Sequence, residues 1–393
     1  MRKNLWLWVI MTMLCLQSLT VAAYASAPEE TLPAEVSAEY ENELQQYDFS
    51  EIDEYLRQQT KTGGESLSLE ELMKLLLAGE LQEATRLLVS GIKYTFSNEI
   101  THSAGLMRQI LVLGVMGAVF SNFSSIFSGN QVSETGFYVI YLLLFTFLAA
   151  SFQESLSITY QVVGQVLEFM RVLSPAYFMS VAFSGATTSS AAWCQLVLVV
   201  ISLVDSLFLH VLLPLIRIYV LLILVGHITK EDLFSKWTDI LKSVINWGMK
   251  GLVGLVVGFQ AVQGLILPYV DSMKIAGVQK LVEVVPVVGQ GASSVSQLVF
   301  GAGVLIKNTM GAAAVLVLFF LVSVPILKLV ILMLLYQCMA AVLEPVCDKR
   351  LISCIDSVAQ GHKMLLGMVL AASLLFIIAI ALVCITTNAT YLA

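Results

Sequence analysis

The chain has 393 residues, 58% of them hydrophobic and 12% charged, and a mean hydropathy of +0.85. Soluble domains carry about 25% charged residues, so this composition excludes an ordinary soluble domain and places the chain among membrane proteins. The formal charge of -7 is unevenly spread: residues 26–103 hold 16 acidic and 5 basic side chains, and the remainder from Ala104 holds 12 acidic and 14 basic. An acidic leading segment therefore precedes a slightly basic body, and no basic patch with interleaved aromatics occurs, which argues against nucleic acid as a partner.

The first 25 residues read as a secretory signal: Arg2 and Lys3, an apolar run from Leu5 to Leu19, and the small-residue site Ala23-Tyr24-Ala25. Whether it is cleaved or kept as an anchor, residue 26 is expected outside the cytoplasm. None of the cysteines after Cys15 falls in the exported segment, so no disulfide framework is implied. Cys347 and Cys354 lie near His362, but their spacing fits no zinc module.

Residues 27–66 are polar, acidic and without periodicity, as a flexible arm would be. Ser68-Leu69-Glu70-Glu71 is a capping box, with Leu69, Leu72, Met73 and Leu76 at helical spacing. A second amphipathic pattern follows at Leu81, Ala84, Leu88 and Ile92. Their apolar faces suit either a partner or the bilayer surface.

Membrane spans are expected at about 106–127 and 136–152. An amphipathic piece then ends at Leu173, before Ser174-Pro175 and the small-residue run Ser184–Ser190. The long apolar stretch 191–228 follows, broken by Asp205, His210, Pro214 and Arg217. Thr229–Lys250 begins at a second capping box and carries Leu233, Trp237, Ile240 and Val244 on one face, the pattern of a helix lying in the membrane interface. A span at 251–270 contains Gly251, Gly254 and Gly258, a small-residue face of the kind that marks close helix packing. The stretch from Val285 to Val346, a polar segment 344–363 and a last span at 364–386 complete the chain.

Pro214 and Arg217 match Pro325 and Lys328 at an offset of 111, and the same offset carries Pro175 onto Pro286. These landmarks imply a duplicated module with copies at about 136–250 and 251–363, a device common in transporter folds. Lys230, Lys236, Lys242 and Lys250 cluster after copy one, and Lys349, Arg350 and Lys363 after copy two. The positive-inside rule turns both clusters to the cytoplasm, so the copies run parallel. The expected fold is an all-α polytopic membrane protein of six to eight spans, with a signal peptide (1–25), a short exported helical segment (26–103) and a membrane domain (104–393).

Candidate functional residues follow from polarity inside apolar runs. Asp205, His210 and Arg217 share one stretch, and Arg217 and Lys328 occupy equivalent places in the two copies. Ionisable groups there either line a conduit or coupling site, or snorkel from a helix end to the interface. Lys307-Asn308-Thr309 before Gly311 reads as a re-entrant turn or helix break lining a cavity, or as a surface loop. Lys236 and Lys242 are candidates for docking a cytoplasmic ATPase. The chain carries no phosphate loop, no zinc helix and no nucleophile elbow, and its four histidines are scattered, so neither catalysis nor a cofactor is expected.

Val285-Pro-Val-Val-Gly289, Leu305-Ile-Lys-Asn-Thr-Met-Gly311, Pro325-Ile-Leu-Lys328, Ala341-Val-Leu-Glu-Pro345 and Cys354-Ile-Asp356 resemble the signature of the stage III sporulation protein AE family. The resemblance covers roughly 105–390 and is most specific over 285–356. It implies a component of the complex joining mother cell and engulfed forespore, in the mother-cell membrane around the forespore. The implied partners are an ATPase on the mother-cell side, ring-forming proteins between the membranes and, across them, stage II sporulation protein Q. The complex is thought to act as a channel or transport apparatus sustaining late forespore gene expression, and the family brings no catalytic residues.

Overall fold

The computed structural model describes residues 52–54, 69–77, 130–228, 234–283 and 289–388, with separate helical residues between 105 and 119. The signal sequence, the pattern at 81–92, the capping box at 229–232, Pro286 and much of the expected span 106–127 lie outside the described residues. The described elements are all helical: α1 (Leu69–Leu77), α2 (Asn130–Phe183), α3 (Thr187–Val204), a π-helical stretch (Asp205–Leu212), α4 (Leu213–Gly226), α5 (Ser235–Glu283), α6 (Gly289–Leu343) and α7 (Lys349–Asn388). Five rods are long and apolar enough to cross a membrane: Tyr138–Phe183, Ser189–Gly226, Ser235–Ile266, Gly301–Leu343 and Lys349–Thr386. Helix is the expected solution, because backbone groups in lipid must be satisfied within their own segment.

The rods are longer than the sequence implies. The 54 residues of α2 would extend about 81 Å at 1.5 Å per residue, well over twice a hydrocarbon core. Pro175 does not divide a span from an amphipathic piece; it lies inside α2. Pro325 likewise lies inside α6. A single proline removes one backbone hydrogen bond, and ending the helix there would leave several unmet. Nearby hydroxyls add local bonds, with Ser174 Oγ donating to the Met170 carbonyl and Ser323 Oγ to the Phe320 carbonyl. Before Pro214 the chain instead widens into the π-helical stretch, which eases the clash of the proline ring with the carbonyl of His210.

Two further readings need correction. The interfacial helix expected over 229–250 is, from Ser235 on, the first part of α5 and continuous with the span that follows. Its exposed Trp237, Ile240 and Val244 lead into exposed Leu255, Phe259 and Val262, so the apolar face belongs to one rod. No described residue lies within contact distance of a side chain placed at Gly251, Gly254 or Gly258. The polar segment 344–363 is also not separate: from Lys349 it forms the start of α7.

True ends come where the backbone demands them. Gly185, at φ 89°, takes the left-handed conformation that closes α2. Ser190 Oγ then reaches back from the first turn of α3 to the Phe178 carbonyl, tying the α2–α3 hairpin.

Contacts at successive heights fix the directions of the rods. Tyr141 of α2 meets Cys354 of α7, Ser155 meets His362, and Tyr177 meets Cys384, so α2 and α7 run parallel. Lys242 of α5 meets Gln360, and Gly264 faces Thr386, so α5 runs the same way. The α3–α4 rod and α6 run opposite: Val220 lies against Gly361, Tyr336 against Ser151, and Gly303 against Phe183. The last helix, α7, packs on α2, α3, α4, α5 and α6 and forms the centre of the bundle. α1 lays fully buried Leu69 and Met73 into the same core and packs on α6. Asp53 Oδ1 accepts the Leu69 N–H at 2.7 Å, so the apolar face of this helix already has a partner within the chain.

Candidate functional site: polar layers in the bundle

Between apolar helices there is little hydrophobic drive to associate in lipid, so close packing and interhelical hydrogen bonds of about 0.6 kcal/mol each set the arrangement. Two polar layers occupy the bundle interior. Near the ends of α4 and α6, Tyr141 donates its hydroxyl to the Leu224 carbonyl and meets Cys354 Sγ at 2.8 Å. One level further, Tyr336 donates to Ser151 Oγ at 2.6 Å. His362 is fully buried beside that contact, its ring 5.0 Å from the Tyr336 ring and edge-on to Phe152. Its Nδ1 lies 2.8 Å from the Val358 carbonyl, which can only accept, so Nε2 is the acceptor for Ser155 Oγ at 2.8 Å. This layer is internally satisfied and joins α2, α6 and α7.

The second layer lies beside the α2–α3 turn. Lys307 of α6 is fully buried beside Cys384 of α7. Cys384 Sγ sits 3.1 Å from the Tyr177 hydroxyl, which also approaches the Ile380 carbonyl at 3.5 Å. Glycines make this approach possible. A Cβ at Gly303 would stand 3.0 Å from the backbone of Phe183 and Ser184, and one at Gly311 would stand 2.6 Å from Cys384 Sγ. Asn308 Oδ1, Trp193 Nε1 and both amide atoms of Gln260 are buried here or on adjoining helices with no hydrogen-bond partner among the described residues. Trp193 and Thr386 both lie against Gly264, one turn from Gln260, so α3, α5 and α7 converge at this level.

The sequence-derived candidates divide between inside and outside. Lys307 and Asn308 sit within continuous α6, which corrects the reading of a turn, break or loop: the residues after Asn308 keep helical geometry to Leu343. Lys328 is half-buried in the same helix. Asp205 and His210 bound most of the π-helical stretch, with His210 Nδ1 donating to the Asp205 carbonyl at 3.0 Å. Asp205 is half-buried, and His210 and Arg217 are exposed, so these three do not join Lys307 in the interior. Lys236 is exposed, whereas Lys242 donates to Gln360 Oε1 at 3.0 Å, and Gln360 in turn donates to Asp356.

Sequence reasoning did not single out Tyr177, Cys384, Ser155 or Tyr336, and weighed His362 only as a metal ligand. Gly303 and Gly311, one turn either side of Lys307 on one helix face, were the available signal that another backbone comes close there. No group of three or more metal-ligating side chains occurs among the described residues.

A family model described as stage III sporulation protein AE matches residues 67–387. Stage III sporulation protein AE of Bacillus subtilis (strain 168) is 20% identical over 294 residues, which cover 75% of this chain and 74% of that protein. No solved structure matches the chain.

Proposed function

The chain belongs to the stage III sporulation protein AE family, and from that membership we propose that it is the channel- or permease-like membrane subunit of a complex between mother cell and forespore. In this reading the protein sits in the mother-cell membrane around the forespore, with its acidic N-terminal segment in the intermembrane space and its basic loop-side residues in the mother-cell cytoplasm. A cytoplasmic ATPase and ring-forming proteins are its partners, stage II sporulation protein Q is reached indirectly, and the chain itself catalyses no reaction. Lys236 is then the better candidate for ATPase docking, since Lys242 is engaged with Gln360. The two halves are read as a duplicated module: the α3–α4 rod and α6 each carry a proline followed three residues later by a base, and each is followed by a turn and a helix beginning with basic residues.

Buried Lys307 carries the conduit reading. An ionisable group inside a span costs a few kcal/mol, and such groups cluster on ion and solute pathways; an inert anchor has no use for one. Lys307→Met keeps the length and removes the charge. The expected outcome is a protein present in the membrane and ring proteins correctly localised, with late forespore reporter expression lost. Normal sporulation in that strain would overturn the reading. The alternative, a non-conducting platform that recruits rings and ATPase, draws support from the long exposed apolar face of α5. It expects ring proteins to mislocalise without this chain and Lys307→Met to be tolerated.

A further inference from the structure

We infer that the outward face of α2 between Gln153 and Arg171 is a wall of a water-filled passage, closed around an axis by the same face of further copies of this chain. The inference rests on the conduit reading and assigns it a surface.

Among the described residues the bundle interior holds no open route, so buried Lys307 is a coupling group behind α2 and not a lining residue. Its described polar layers are packed, and the gap between Met170, Tyr177, Val197 and Ile380 has room for about one water molecule. The outer face of α2 is different. Gln153, Glu154, Ser157, Gln161, Glu168 and Arg171 are all exposed along one side of the helix, with half-buried Gly164 and Gln165 between Gln161 and Glu168 and exposed Tyr160 at the edge of the stripe. Glu168 and Arg171 pair at 3.1 Å. The stripe runs about 27 Å at 1.5 Å per residue, nearly the ~30 Å of a hydrocarbon core. Apolar exposed residues flank it, Leu142 and Leu143 before and Met179 and Phe183 after.

Height decides what this face meets. Ser155 is level with His362 and Tyr177 with Cys384 on α7, while Lys242 of α5 is level with Gln360 and Gly264 with Thr386. The stripe therefore shares its height with α5 from about 242 to 257, where Val244, Trp247 and Leu255 are exposed, and Phe259 follows half a turn beyond. At one depth, one side of the bundle is apolar and another is polar. An apolar face suits lipid; a face with three charges and two glutamines does not. A subunit with one lipid side and one polar side is what a ring around an aqueous axis requires. The amides, the hydroxyl and the Glu168–Arg171 pair, with Glu154 leaving one negative charge per copy, suit small polar solutes that are neutral, zwitterionic or cationic over anions.

The test is cysteine accessibility in the full chain in sporulating cells, with the parent's own cysteines as background. A membrane-impermeant maleimide is applied to Ser157→Cys, Gln161→Cys and Glu168→Cys on the stripe, and to Leu255→Cys and Phe259→Cys on α5. Stripe positions should label several-fold faster than α5 positions, and a short bismaleimide should link Gln161→Cys chains into dimers and higher species. Equal labelling of both faces would show that this height lies outside the bilayer and overturn the inference, and so would a stripe that fails to label. Labelled but never cross-linked stripe positions would overturn the ring of copies. Normal sporulation in Lys307→Met would overturn the conduit reading itself, whereas a stripe that fails to label while Lys307→Met blocks sporulation would overturn the wall alone, so the two failures are distinguishable.

Discussion

Single residues here act through how closely they let backbones approach. At Gly303 the obstacle to a side chain is the main chain of Phe183 and Ser184, which cannot rotate away. Gly303→Leu is expected to destabilise the bundle by about 1–3 kcal/mol, the range for overpacking, read as a lower melting temperature in detergent. Gly254→Leu, on an open face, should leave that temperature nearly unchanged; equal effects would refute the packing assigned to Gly303. Cys347, in the turn before α7, donates to the Gly114 carbonyl at 3.2 Å, and burial pushes its thiol above the ordinary range, helped by Asp348. A group with a raised folded pKa stays protonated past its usual titration, so Cys347 alkylation should keep accelerating as pH rises beyond about 8.5. A plateau at the ordinary thiol range would contradict that burial.

At the scale of elements, the order of polar and apolar segments was legible in the sequence, and so was helix as the secondary structure of the described residues. Where helices begin and end was not. Composition changes at Leu173, Lys250 and Lys363 mark changes of environment, and a helix can pass through all three because backbone hydrogen bonding does not depend on side-chain polarity. Lys307 and Asn308 stood out in an apolar run, yet their surroundings could not be read, since Tyr177 and Cys384 come from 130 residues before and 77 after. The short helix α1 makes a separate prediction. Met73 is fully buried and α1 rests on α6, so Met73→Asp buries an unpaired charge costing several kcal/mol. It should free the segment ahead of α2 for limited proteolysis while the five rods stay in the membrane. Unchanged protease resistance would mean that α1 is held by something else.

Among the described residues three rods run one way and two the other, and the proposed topology adds a sixth crossing at 106–127. In the proposed orientation an even number of crossings returns the C-terminus to the side of residue 26, outside the mother-cell cytoplasm. A reporter that is active only after export should therefore work when fused after Ala393, and should fail when fused after Gly226, at the end carrying the basic residues. Activity at Gly226 would reverse the assigned orientation.

The position of α7 also has a consequence for biosynthesis. Synthesis and insertion run from the N-terminus, so α2 through α6 enter the bilayer before the helix on which all five of them pack has been made. Until then, the surfaces that will receive His362 and Cys384 are grooves open to lipid or to neighbouring nascent chains. The described bundle closes only when the 40 residues of α7 arrive, so chains stopped short of α7 are expected to be degraded in the membrane.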